Sequence, residues 1–165
     1  MKRIALISDT HNYLDPLIYK YARQCDEIWH AGDVGTISVC DELVKFKPVR
    51  AVFGNIDGQD VRINYPEVLS FTIEGLNVLM LHIGGYPGHY TPQARMEIAK
   101  HSPGLFISGH SHILKVMPDK KNKLLHINPG AAGVHGFHAM KTMVRFIIEN
   151  GKVSDLQAIE LGKRA

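Results

Sequence analysis

Short apolar runs alternate with segments of helical periodicity through the first two-thirds of the chain. "RIALIS" (3–8), "EIWHAG" (27–32), "VRAVFG" (49–54) and "GLFISG" (104–109) read as buried strands. Between them, "LDPLIYKYARQ" (14–24), "TISVCDELVKF" (36–46) and "TPQARMEIAKH" (91–101) space their apolar residues as helices do. Asp15 and Thr91 stand where N-caps belong, and Pro16 is tolerated in a first turn. A polar, Gly-containing loop follows the third strand. Then come "VLSFTI" (68–73) and "NVLMLHI" (77–83), joined by a Glu74-Gly75 turn.

After His112 the pattern changes. "ILKVMP", "KLLHIN", "MVRFIIE" and "VSDLQAIEL" read as strands with short connections, and Asn150-Gly151 marks a tight type I′ hairpin. The expectation is βα units first and a β-meander after them. No linker, repeat or low-complexity tract interrupts the chain. This predicts one α/β domain over residues 1–165, with two packed sheets and helices outside.

Composition narrows the function classes. The chain has 165 residues, enough for one buried core, and 45% of them are hydrophobic. No apolar run approaches the roughly 20 residues of a membrane span. Cys25 and Cys40 form neither a C-x-x-C pair nor a dense scaffold, which fits a reduced, cytoplasmic setting. A formal charge of +3 permits an anionic substrate without requiring nucleic acid, and no basic stripe or aromatic platform is evident. "DKKNK" (119–123) reads as a solvated hairpin loop. The ten histidines are the unusual count, because histidine is the commonest metal ligand.

The chemistry gathers where strands end. "DTH" (Asp9, His11) follows the first, "HAGD" (Asp33) the second, and "GNID" (Asn55, Asp57) the third. "LHIGG" (His82) and "GHSH" (His110, His112) follow two later strands. Asp9 and His11, two apart, share a face if the segment is extended; they can bond each other or share a metal ion. Each motif alone is ordinary: D-x-H is usually a cap, and G-D and G-N are usually turns. Five of them in order, each at a predicted strand end, point to one metal site on the rim outside the strands' carboxyl ends. Glycines 32, 54, 84 and 109 allow sharp turns there. Carboxylate, amide and imidazole together suit Mn, Fe, Co, Ni or Zn. No G-x-S-x-G or P-loop pattern is present.

The order D-x-H, G-D, G-N-x-D, strand-end His and G-H-x-H resembles the calcineurin-like metallophosphoesterase superfamily, and within it the small prokaryotic phosphodiesterases. "NPGA" (128–131) is similar to a loop near that family's site. The resemblance implies a four-layer αββα sandwich of two mixed β-sheets flanked by helices, holding two divalent ions, with Mn the foremost choice. One ion would take Asp9, His11 and His112. The other would take Asn55, His82 and His110, with Asp33 bridging. A bridging hydroxide would then attack phosphorus in line, with Asp33, Asn55 and His82 central to catalysis.

The sequence also departs from the family. Many relatives read G-N-H, and that His serves the leaving oxygen; here the position is Ile56, which cannot donate a proton. This favours a phosphodiesterase acting on good leaving groups, with a small phosphoester as partner. The alternatives are a non-catalytic scaffold like a retromer subunit, a nuclease, or a cyclic-nucleotide phosphodiesterase; a homo-oligomer stays open. Asp57 is the candidate to orient the ligand histidines. His89 is a candidate substitute proton donor, and His135 and His138 are candidates to line the substrate cleft. His30 stands ready to pack beside the site.

Overall fold

A computed structural model describes residues 1–165. The strands are β1 (Lys2–Ile7), β2 (Glu27–His30), β3 (Val49–Ala51), β4 (Val68–Ile73), β5 (Leu76–Leu81), β6 (Leu105–Ile107), β7 (Leu114–Asp119), β8 (Leu124–Pro129), β9 (Met140–Glu149) and β10 (Lys152–Lys163). The helices are α1 (Pro16–Ala22), α2 (Ile37–Phe46), α3 (Gln59–Asn64) and α4 (Pro92–His101). Two five-stranded mixed sheets result, in the orders β10-β9-β1-β2-β3 and β4-β5-β6-β8-β7.

The layering follows from alternation within strands. On β1, Ile4 and Leu6 point into a core shared by the two sheets with Trp29, Val78, Met80, Ile107, Ile127 and Phe146. Ala5 and Ile7 point the other way, against Ile18, Ala22, Val39 and Leu43 of α1 and α2. On the second sheet, Leu79, Leu81 and Phe106 turn outward onto Ala94 and Ile98 of α4. A strand buried on both faces needs a continuous apolar run, which "IALI" supplies. Helix, sheet, sheet and helix stack in that order, the expected αββα sandwich.

Both expected caps form. The Asp15 carboxylate accepts from the Leu17 N–H at 2.9 Å, and the Thr91 hydroxyl from the Ala94 N–H at 3.2 Å. Asn150 and Gly151 both adopt positive φ, as a type I′ turn demands, and so do Glu74 and Gly75. The two turns dock, with the Gly151 N–H donating to the Glu74 carbonyl at 2.8 Å.

Two expectations are corrected. The expected loop after β3 contains α3, a six-residue helix that lacks a side-chain cap and buries only Val61, too little to leave a periodic signal. The expected meander is absent. β7 and β8 pair in the second sheet, with β8 parallel to β6, whereas β9 crosses to the first sheet and pairs antiparallel with β1. Alternation says that a segment is a strand; it does not say which sheet takes it.

His126 on β8 is fully buried beside Phe106, and burial, only partly offset by a bond to the Phe106 carbonyl, pushes its imidazole down to about 4. The unfolded chain therefore takes up a proton near pH 6.5 that the folded chain refuses. This contribution is complete above pH 6.5 and is lost as pH falls from there toward 4, to a total of about 3 kcal/mol. Denaturant unfolding between pH 7 and pH 5 is expected to lose about one proton's worth of pH dependence in His126→Phe; an unchanged slope overturns the assignment.

Candidate metal centre

The site lies where β1, β2, β5 and β6 end. Asp9 and Asp33 are almost fully buried. The Asp9 Oδ2 accepts from the Ser8 hydroxyl at 2.7 Å and from the His110 N–H at 3.1 Å, which leaves Oδ1 facing the site. The Asp33 Oδ1 accepts from the Ile56 N–H at 3.1 Å, which frees Oδ2. His82 Nδ1 lies 2.7 Å from the Ala31 carbonyl, so that nitrogen donates and Nε2 presents a lone pair. His110 Nδ1 lies 3.1 Å from Asn55 Oδ1.

These atoms form two groups. Asp9, His11 and His112 offer one ligand atom each, all within 4.8 Å of one another, and so do Asp33, His82 and His110. The Asp33 Oδ2 sits between the groups, 3.4 Å from His11 Nε2 and 3.2 Å from His82 Nε2. His112 Nε2 is 3.2 Å from Asp9 Oδ1. Two donors each about 2.1 Å from one ion, at angles between square and tetrahedral, stand roughly 3.0–3.5 Å apart. A charge-assisted hydrogen bond would instead close to about 2.7–2.9 Å.

Satisfaction of the polar atoms gives an independent test of fit. Asp9 Oδ1, His11 Nε2 and His82 Nε2 are buried with no hydrogen-bond partner. Such atoms are rare, and each costs about 1–3 kcal/mol. Asp9 Oδ1 and His11 Nε2 in one group and His82 Nε2 in the other fit cations that accept their lone pairs. Oxygen and imidazole donors without thiolate match borderline divalent ions.

The electrostatics agree. Burial opposes ionisation of Asp33, yet His11, His82 and the Ile56 N–H outweigh it and hold the carboxyl far below its usual range. Asp9 is likewise held low against burial by His112, His82 and Ser8. For His82, burial disfavours the charged ring, but the neighbouring Asp33 and Asp9 carboxylates raise it overall. Both acids are thus anionic at neutral pH.

The local backbone differs from expectation. β1 ends at Ile7, and Asp9 and His11 lie beyond it at φ 53° and 43°. Asp33, His110 and His112 are also left-handed, at 55°, 71° and 61°. The two members of each D-x-H or H-x-H pair are therefore aimed by turns, not by strand pleating. His110 and His112 go to different groups. Left-handed non-glycine residues carry a cost of order 1–3 kcal/mol each and persist where their surroundings over-determine them. Here the surroundings include two tight glycines. A Cβ on Gly32, itself at φ +102°, would stand 2.6 Å from His82 Nδ1, and one on Gly54 would stand 2.9 Å from the Asp33 Cγ.

The remaining candidates divide. Asp57 does not touch a histidine: its carboxylate accepts from the N–H groups of Gly54, Val34 and Gly35 at 2.8, 3.1 and 2.8 Å, stapling the loops after β2 and β3. Backbone carbonyl and amide groups orient the ligands in its place. His89 is exposed on a loop against Tyr86, with ring centroids 4.8 Å apart, and does not line the centre. His135 does line it, stacked on His11 at 4.7 Å, and His138 stands edge-on to His112 at 5.1 Å. Both border a mouth of about 510 Å³ rimmed by Ile56, Ile113 and Phe137. A cleft of similar size at the opposite end of β1, lined by Arg3 and Arg145, contains none of the ligand groups.

Three further residues support these turns, and of them only Ser8 lacks a sequence expectation. Ser8 fixes Asp9. Asn128 of "NPGA" donates from Nδ2 to the Gly109 carbonyl and Ser111 hydroxyl, both at 3.0 Å, holding the loop of His110 and His112. His30 accepts from the Gly32 N–H at Nδ1, at 3.1 Å, and so donates from Nε2 to Thr10, at 2.9 Å; Thr10 in turn donates to the Val34 carbonyl. That chain ties the Asp9 turn to the Asp33 turn.

Comparison with known proteins agrees with this fold. A zinc complex of Vps29 from Entamoeba histolytica superposes with a TM-score of 0.71 at 15% identity, covering 97% of this chain and 99% of that one. A structure described as a novel archaeal phosphodiesterase gives 0.76 at 21% identity, covering 96% and 99%. A "Probable metallophosphoesterase" of Methanothermobacter thermautotrophicus is 30% identical over 166 residues, 96% of this chain and 92% of its own. The profile of the "Calcineurin-like phosphoesterase superfamily domain" matches residues 1–151, which include every residue of both ligand groups. By sequence, fold and donor set together, the chain belongs to the calcineurin-like phosphoesterase superfamily.

Proposed function

We propose that this protein hydrolyses phosphodiesters with a pair of divalent metal ions, manganese foremost, held by Asp9, His11 and His112 on one side and Asn55, His82 and His110 on the other, with Asp33 between. The observation that carries this reading is the presence of three buried, unpartnered donors in two groups between which the Asp33 Oδ2 lies. Bound divalent ions supply Lewis acidity toward phosphate oxygens and a lowered pKa for solvent.

The chain's own residues do the rest. Asp9 and Asp33 stay ionised and offset cationic charge, so the site accepts a monoanionic diester without excess attraction for polyanions. Ala31 sets the His82 tautomer, so its Nε2 needs no reorganisation. Ile56 is half-exposed at the mouth and carries no proton to give a leaving oxygen. Leaving groups that depart unprotonated are therefore favoured, as in aryl diesters.

The test is hydrolysis of bis(p-nitrophenyl) phosphate, with metal removed by chelation and Mn²⁺ restored. Activity is expected only in the restored sample. A non-catalytic scaffold role instead leaves both samples inactive. In Ile56→His, hydrolysis of an alkyl phosphomonoester such as glycerol 2-phosphate is expected to rise roughly 10- to 100-fold relative to bis(p-nitrophenyl) phosphate. An unchanged ratio overturns the role given to this position.

A further inference from the structure

A second cavity, of about 320 Å³, adjoins the metal centre and shares His110, Ser111 and Ile113 with its mouth. The two openings thus flank one reacting position, as the two organic arms of a diester require. The mouth offers Phe137, fully exposed, and the stacked imidazole of His135. The second cavity is different. Ile83, Tyr86 and Ile113 give it apolar walls, and two polar groups on it have unmet capacity.

The first is Lys115. Its ammonium lies 3.9 Å from the centre of the Tyr86 ring and has no carboxylate partner. The second is His126. Its Nδ1 engages the Phe106 carbonyl, so the neutral ring holds a lone pair on Nε2, and that buried nitrogen has no partner. An acceptor at this depth stays unmet until a donor reaches it. The wall therefore asks for a ligand with an acceptor for Lys115, a donor for His126 and flat apolar faces between. A sugar hydroxyl lacks the flat faces, and a simple aryl group lacks the edge.

Resting on the phosphodiesterase reading above, we propose that this cavity is a nucleobase subsite: it receives the base of a nucleoside-bearing phosphodiester while phosphorus sits at the metal centre. The volume falls at the lower end of small-molecule sites, suited to one base and part of its sugar. The enzyme then discriminates among diesters by what the arm carries on its edge. A ring that presents both a carbonyl and an N–H gains at this wall, and an aryl arm of the same size does not.

The experiment compares two chromogenic diesters on Mn²⁺-loaded protein: thymidine 5′-(p-nitrophenyl) phosphate and bis(p-nitrophenyl) phosphate. Lys115→Ala is a partly exposed position outside the metal ligands. It is expected to raise KM for the thymidine ester about tenfold, with kcat nearly unchanged and bis(p-nitrophenyl) phosphate unaffected. Calorimetric binding of thymidine 5′-monophosphate is expected to weaken by the same factor, and binding of inorganic phosphate to stay constant. His126→Phe, which keeps the ring stack on Phe106, is expected to reproduce the pattern. If wild type hydrolyses both esters and the variants move both equally or neither, the subsite is overturned and the phosphodiesterase reading stands. If wild type hydrolyses neither, the phosphodiesterase reading itself falls, and thymidine monophosphate binding that depends on Lys115 alone decides the subsite.

Discussion

Asp33→Asn is expected to lower hydrolysis of bis(p-nitrophenyl) phosphate by roughly three orders of magnitude, with the far-ultraviolet circular dichroism unchanged. The argument is geometric. Asp33 is the one side chain whose free oxygen lies within 3.4 Å of a histidine from each ligand group. Asparagine keeps an acceptor for the Ile56 N–H but places an NH₂ group where Oδ2 stood. Two facing imidazoles and two cations would then meet a neutral donor. Elemental analysis should show bound metal falling from about two ions per chain to one or fewer. Wild-type metal content with wild-type turnover would sink the assignment of Asp33 as the shared ligand.

The second large effect requires no change to any ligand. Gly54→Ala puts a methyl group 2.9 Å from the Asp33 Cγ and closer still to its Oδ1 and backbone nitrogen. Gly54 itself does not sit at positive φ, so alanine meets no backbone conflict of its own. The whole effect falls on Asp33. A displacement of about 1 Å in a positioned group costs on the order of 10²-fold in rate, and overpacking of this kind destabilises by about 1–3 kcal/mol. Gly58→Ala is the control, because its added Cβ meets nothing nearer than the Asp60 Oδ1 at 3.5 Å. Activity in Gly54→Ala equal to that of Gly58→Ala would show that the Asp33 turn is looser than its packing implies.

The rim of ligands was legible because strand ends are marked twice, by the end of an apolar run and by glycine. "LFISGHSH" carries both marks and "IALISDTH" only the first, and both deliver their side chains to the centre. Strand pleating nevertheless does not join Asp9 with His11. Their common direction comes from left-handed turns after the strand, and positive φ at Asp or His leaves no sequence mark stronger than a weak residue preference. The role of Asp57 is not legible in the sequence, because a carboxylate near a site looks alike whether it serves an imidazole or a row of backbone N–H groups. Only the folded loops of Val34, Gly35 and Gly54 decide that. The sheet assignment of β9 was hidden for a related reason. Pairing of β9 with β1 spans more than a hundred residues, and local periodicity carries no information across that distance.

That same pairing sets when the protein can finish folding. β1 lies between β2 and β9, so its neighbour on one side is made soon after it and its neighbour on the other more than a hundred residues later. During synthesis Asp9 and His11 leave the ribosome long before the strand that closes their sheet. Long-range closure of this sort is slow, on the order of milliseconds to seconds for a two-state domain. Residues 4–7 meanwhile keep one unpaired apolar edge, open to wrong pairing until β9 arrives.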